Sequence, residues 1–255
     1  MGQADQAPSV NAFSRDRLLG GRVLLDQPKG GYRAGMDAAL LAAACPAAPG
    51  ERVLDVGSGA GAVLVQLAAR RPEVQLTGLE REPALAALSQ ANAALNGMEG
   101  RLEALTGDAF RPFTALERAP FDWVLTNPPF FDGEAAIRGP APARRSAWIA
   151  DEGLRPWLAF MLKAVKQNGR LVIVHRADRL GDILSGLAEK CGSFAVRPVH
   201  AYADEPAKRV LVLAIKSGKA PLRLLPPLVL HDRSGGKHTP EAEAILRGEA
   251  ALGWD

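Results

Sequence analysis

VLDVGSGAG, residues 53–61, is the stretch on which the fold turns. It ends a short apolar run, Arg52–Val56, and opens a helix-like run that ends near Arg70. Gly57, Gly59 and Gly61 let the backbone turn tightly and approach a ligand that a β-carbon would push away. The helix starting near Gly61 offers unpaired N–H groups and a partial positive charge, suited to a carboxylate. Asp55, inside the motif, joins the three glycines as a cofactor-binding candidate.

Downstream, Val74–Leu79 reads as a second strand, and Glu80 follows it, 19 residues after Gly61. Its two oxygens suit the two hydroxyls of a ribose. The same spacing serves dinucleotide folds, and Gly57, Gly59 and Ala62 satisfy their relaxed glycine pattern, so the loop alone leaves NAD and a methyl donor both open. Asp108, after a third strand at Leu102–Leu105, places another carboxylate at a strand end, where it can accept from an adenine amino group or cap a turn.

The alternation continues. The helix after Glu80 repeats Leu85, Leu88, Asn92 and Leu95 on one face, and Trp123–Thr126 is a strand. A helix from about Glu152 to Val165 precedes the strand Gly169–Val174, and Leu180–Lys190 is helical. Phe194–Val199 and Arg209–Lys216 have little between them and read as a hairpin, which brings an antiparallel strand into an otherwise parallel sheet. Upstream, residues 1–14 read as a loose tail, Arg22–Leu25 as a short strand or hairpin arm, and Asp37–Ala44 as a helix with Asp37 as N-cap. Thr239 before Pro240 caps a last small helix. The expected organisation is a tail and hairpin segment at 1–35, a main domain at 36–216, and a C-terminal extension at 217–255 packed on it.

FDWVLTNPPFF, residues 121–131, moves the balance away from NAD. Pro128 and Pro129 remove two N–H donors and hold the backbone extended. The Asn127 side-chain carbonyl and the Pro128 carbonyl together match the two hydrogens of a planar NH2, and Phe130 offers a flat face for a base. A redox enzyme has no need of this set. A recessed pocket calls for an unpaired or flipped nucleotide, and Arg138, Arg144, Arg145 and Trp148 in the following loop are candidates for phosphates and base.

At this point the chain resembles the class I amino-methyltransferases, and within them the bacterial enzymes that methylate N6 of an adenine beside the anticodon of valine tRNA. The broad likeness rests on VLDVGSGAG, GLE at 78–80, GDAF at 107–110 and NPPF at 127–130. The narrower one rests on LGGRVLLDQPKGGYRAGMDAALLAA at 19–43, AKRVLVLA at 207–214 and LHDRSGGKHTPEAEAILRG at 230–248. The resemblance implies a Rossmann-like, seven-stranded, mostly parallel sheet with a closing antiparallel hairpin strand, and S-adenosylmethionine as cofactor. It implies that the three glycines cradle the methionine part of the donor, Glu80 its ribose and Asp108 its adenine. Asn127, Pro128 and Phe130 fall to the target base, and Tyr32, Arg33 and Asp37 lie where the family packs an N-terminal segment on the cofactor site. Phe130 is a departure, since many members carry tyrosine there.

The bulk properties are permissive. The net charge is +3 and the pI about 9.0, compatible with an RNA partner, tRNA foremost. Cys45 and Cys191 stand alone, which suits a reduced compartment, and no apolar run suggests a signal or membrane segment, so the cytoplasm is the expected location. No metal site is expected; His231 and His238 would need further ligands in space. His175, at a strand end, reads as a local hydrogen-bonding residue ahead of a base. The rival readings are a protein glutamine N5-methyltransferase, a guanine N2-methyltransferase, an NAD oxidoreductase and an idle RNA-binding module.

Overall fold

The computed structural model describes residues 13–30, 33–129, 153–234 and 236–255. Seven strands of five residues or more build the main sheet: β3 (Arg52–Val56), β4 (Gln75–Glu80), β5 (Leu102–Thr106), β6 (Phe121–Thr126), β7 (Val165–Arg176), β8 (Cys191–His200) and β9 (Arg209–Lys216). Two two-residue strands, β10 (Arg223–Leu224) and β11 (Leu228–Val229), pair with β8, so the sheet has nine strands where seven were expected. The order runs β10-β8-β9-β7-β6-β3-β4-β5, and β9 alone is antiparallel to its neighbours. The β8–β9 hairpin therefore inserts its second strand against β7.

Alternation along the strands separates two apolar layers. Val53 faces a core with Leu64, Leu67 and Leu41, whereas Leu54 and Val56 face one with Leu158, Met161 and Phe121. On the first face lie α1 (Met36–Ala43), α2 (Ala62–Arg70) and α6 (Pro240–Arg247); on the second lie α4 (Leu154–Ala164) and α5 (Leu180–Leu187). α3 (Pro83–Leu95) connects β4 to β5. Ala86, Ser89, Asn92 and Ala93 are its buried residues, while Leu85, Leu88 and Leu95 are half-buried, which corrects the expected leucine face. The reason is proximity: a Cβ on Gly61 would strike Ser89 Oγ, so only small side chains fit where α3 meets the glycine loop.

The N-terminal tail ends earlier than expected. β1 (Phe13–Leu18) pairs antiparallel with β2 (Val23–Pro28) outside the main sheet, turning through Leu19–Gly21. The sequence of β1, FSRDRL, carries charges at alternately exposed and half-buried positions and lacks the apolar signature of the central strands. α1 begins at Met36 after Gly35 with no side-chain cap, so Asp37 is not the expected N-cap. It sits in the first turn, where a carboxylate still meets the positive helix end, and accepts from Arg209 Nε at 3.1 Å. Thr239 does cap α6, its Oγ accepting from Ala242 N at 3.2 Å. Among the described residues no helix is long and apolar enough to cross a membrane.

Candidate active site

The carboxyl ends of β6, β3, β4 and β5 lie side by side and parallel, so residues that follow them share one edge of the sheet. That edge is where open α/β sheets bind ligands, and the β3–β6 junction is the point where the strand order reverses. Thr126 is in register with Val56, which places Asn127 across from Gly57. Glu80 is in register with Thr106, two residues before Asp108. The sequence candidates Asp55, Gly57, Gly59, Gly61, Glu80, Asp108, Asn127 and Pro128 thus assemble along roughly three strand spacings, about 14 Å.

The glycine loop is held from several sides. Gly57 and Ser58 donate their amides to the Leu79 carbonyl at 2.8 and 3.1 Å. Gly59 N donates to Glu80 Oε2 at 2.8 Å, and Glu82 N donates to Glu80 Oε1 at 2.9 Å. Both Glu80 oxygens are oriented by one amide each, and each keeps a further lone pair toward a ligand. Gly57 and Gly61 have φ of 75° and 85°, a region costly for any residue with a β-carbon. A Cβ on Gly57 would also lie 2.9 Å from Trp157 Cζ2.

Asp55 lies beneath this loop at 1% exposure, and its Oδ2 has no hydrogen-bond partner among the described residues. Burial, reinforced by the nearby Glu80 carboxylate, pushes its pKa up to about 8. Ser58 Oγ is likewise buried without a partner among the described residues. Asp108 spends Oδ1 on Phe110 N at 2.9 Å, closing a tight turn.

Sequence reasoning missed Trp157. From α4 its Nε1 donates to Thr126 Oγ at 2.9 Å, and that hydroxyl donates to the Val56 carbonyl at 2.8 Å. Its ring lies edge-on to Phe110 with centroids 5.8 Å apart. One side chain therefore joins the glycine turn, the end of β6 and the loop after β5. In sequence it is only an apolar position on an amphipathic helix.

Other candidates fall elsewhere. Arg33 donates to Ser14 Oγ and Asp16 Oδ2 at 2.5 and 2.6 Å, and is thereby tied to the hairpin. His175 is buried, with Nδ1 accepting from Arg176 N at 2.8 Å, a local role. Tyr32, Phe130, Arg138, Arg144, Arg145 and Trp148 lie outside the described residues. Cys45 and Cys191 are free and buried, and burial pushes their thiols up to about 12 and about 11, so neither is a thiolate at neutral pH. Among the described residues no cluster of three metal-ligating side chains occurs.

Residues 33–141 match the family described as the methyltransferase small domain. The chain is 30% identical over 198 residues to a tRNA1(Val) (adenine(37)-N6)-methyltransferase of Porphyromonas gingivalis, covering 73% of this chain and 76% of that one. To a protein of the same description from Yersinia pestis it is 31% identical over 179 residues, covering 69% and 70%. Among solved structures, a predicted O-methyltransferase from Agrobacterium tumefaciens aligns with a TM-score of 0.71 at 26% identity, over 85% of this chain and 98% of that one. A T. thermophilus 16S rRNA N2 methyltransferase in complex with AdoMet and guanosine aligns at 0.55 and 21% identity, over 80% and 50%; that likeness concerns the fold alone.

Proposed function

The chain belongs to the tRNA1(Val) (adenine(37)-N6)-methyltransferase family, and on that premise we propose that Asn127 and Pro128 present the exocyclic N6 of a tRNA adenine for methylation. Its fold is that of class I S-adenosylmethionine-dependent methyltransferases, and its activity is methyl transfer from that donor. The observation that carries the acceptor assignment is the Thr126–Val56 hydrogen bond, which seats Asn127 and Pro128 one step beyond a fixed point on the glycine strand.

The residues present fit the donor. A turn with positive φ, a carboxylate oriented by two amides, and buried polar atoms on Asp55 and Ser58 without partners among the described residues all converge on the same edge. S-adenosylmethionine supplies the methyl group from its sulfonium centre. Glu80 is assigned to its ribose, Asp108 to its adenine, and the glycine backbone with Asp55 to its amino-acid end.

The N6 lone pair of adenine is delocalised into the ring, which makes it a weak nucleophile. Asn127 Oδ1 and the Pro128 carbonyl each accept one N–H, and the nitrogen can then pyramidalise. Both contacts strengthen as positive charge grows on nitrogen, so they favour the transition state over the ground state. Phe130, two residues beyond Pro128, is assigned by its chemistry to stack on the base. Orientation does the work that a strong base would do elsewhere. The proton leaves to water after methyl transfer. The two buried, unpaired thiols suit a cytoplasmic setting for this reaction.

Incubation with labelled donor and unmodified total tRNA, followed by nucleoside analysis, should yield N6-methyladenosine. Asn127→Ala should lower single-turnover rates by roughly 10²–10³ with donor affinity nearly unchanged. Label in N2-methylguanosine would replace the adenine reading, and a wild-type rate in folded Asn127→Ala would remove this amide from the mechanism.

A further inference from the structure

A cleft of about 680 Å³ opens between the β1–β2 hairpin, the start of α1 and the C-terminal segment. Leu18, Met36 and Leu246 give it apolar walls, and Arg17, Lys237 and Arg247 give it cations. One acid, Glu243, lines it, and that carboxylate accepts from Arg247 Nε at 2.7 Å. Arg17 and Lys237 are both exposed, so the lining carries an excess of positive charge.

Two stacked rings, His231 and His238, also line the cleft, and Tyr202 packs behind His231 outside the lining. Tyr202 and His231 have centroids 5.5 Å apart, and His231 stacks on His238 at 5.1 Å with 27° between planes. His231 is fixed by a 2.6 Å contact of Nδ1 with the Lys237 carbonyl, whereas His238 Nδ1 is buried without a partner among the described residues. Two features of a nucleotide site are thus present: cations for phosphate and a stacking face for a base.

Position decides the partner. Leu230 N donates to His200 O and His231 N to Ala201 O, continuing the β11–β8 pairing past the carboxyl end of β8. The rings therefore stand at the same sheet edge as Asn127, and β11, which they follow, lies four strand spacings from β6, about 19 Å. A volume of this size is in the range of small-ligand pockets and accommodates a nucleotide.

We propose that this cleft is a second RNA site, which holds one nucleotide of the tRNA other than the methylated one. Arg17 and Lys237 meet its phosphates and its base extends the stacked rings at His238. The inference rests on tRNA being the substrate, and its test is arranged to fail separately. Filter binding of unmodified tRNA across a salt series, without donor, should show about ten-fold weaker binding for Arg17→Glu/Lys237→Glu and a salt slope reduced by between one and two. The milder Arg17→Gln/Lys237→Gln should show the same slope change. His238→Ala should weaken binding several-fold, and His238→Phe should largely retain it because a flat face remains. In methylation assays the losses should fall on KM for tRNA, with kcat at saturating tRNA and donor affinity unchanged. Unaltered tRNA affinity and slope in both charge variants would overturn the cleft as an RNA site. Absence of N6-methyladenosine with intact wild-type tRNA binding would instead remove the catalytic reading and leave the binding comparison standing.

Discussion

Asp55 and Glu80 sit close together under one loop, yet their environments differ. Glu80 is half-exposed, and the Gly59 and Glu82 amides each donate to one of its oxygens. Asp55 is buried, its Oδ2 has no hydrogen-bond partner among the described residues, and burial pushes its pKa up to about 8. The folded protein therefore keeps a proton on Asp55 that the unfolded chain, near its ordinary value of 3.8, releases. Stability from this group is complete below about pH 4 and is lost progressively as pH rises to about 8, at up to about 1.4 kcal/mol per pH unit. Asp55→Asn keeps the shape and has no proton to lose. Thermal melts without donor should show wild type losing stability from pH 5 to 8 more steeply than the variant, with the variant the more stable at pH 8. Parallel profiles would mean that Asp55 ionises freely in the folded state. Glu80→Ala acts differently: it should weaken donor binding in calorimetry through loss of the ribose contact, and an unchanged affinity would remove Glu80 from that role.

The hairpin is attached to the main domain through α3, which borrows the chemistry of a strand. Asn92 Oδ1 accepts from Asp26 N at 2.8 Å, and its Nδ2 donates to Asp26 O and Ala60 O, both at 2.9 Å. One turn on, Asn96 Oδ1 accepts from Leu24 N at 2.9 Å while Nδ2 donates to Leu24 O at 2.7 Å. Two asparagines four residues apart thus satisfy the outer edge of β2, and Asn92 carries the link through to the glycine loop. Asn92 is fully buried, so Asn92→Leu leaves three backbone groups without partners. It should destabilise by about 3 kcal/mol or more in urea unfolding, since each orphaned group costs about 1–3 kcal/mol, and weaken donor binding as well. Asn96→Ala, at a half-buried site, should cost less; equal losses would deny Asn92 its special place. This element also marks the limit of what the sequence discloses. Glycine loop, Glu80 and Asn127–Pro128 are legible because each motif's chemistry is local and its strand–turn context repeats along the chain. Asn92 and Trp157 are not, because their partners lie 66 and 31 residues away and their meaning arises only on packing. Leu85, Leu88 and Leu95 misdirect for the same reason: the close contact of Ser89 with Gly61, not hydropathy, selects the buried face of α3.

Across the whole molecule, the chain's end closes over its beginning. α1 is rich in alanine and leucine with no polar stop signal, and a helix end leaves its last carbonyls without partners. Two of these are met from the C-terminus: Leu252 N donates to Ala43 O at 3.0 Å, and Trp254 Nε1 donates to Ala44 O at 2.8 Å. Arg197 of β8 donates to the Gly253 carbonyl at 2.8 Å, and Arg70 of α2 donates to Ala250 O at 2.8 Å. Leu252 and Trp254 belong to the same apolar cluster as Leu41, Val63 and Leu211, so residues 217–255 share a core with 36–216. From this we expect one cooperative unit. Trp254→Ala removes a buried ring and orphans the Ala44 carbonyl, a loss of about 3–5 kcal/mol for the ring alone. For a chain of this length each kcal/mol shifts Tm by roughly 2–4 °C, so the single transition should move down by about 10 °C while remaining single. Trp254→Phe, which keeps most of the packing and loses the hydrogen bond, should fall between. Calorimetry decides the matter. Two resolved transitions, with Trp254→Ala moving only the smaller, would mean that the C-terminal segment melts as a separate layer and that the main domain stands without it.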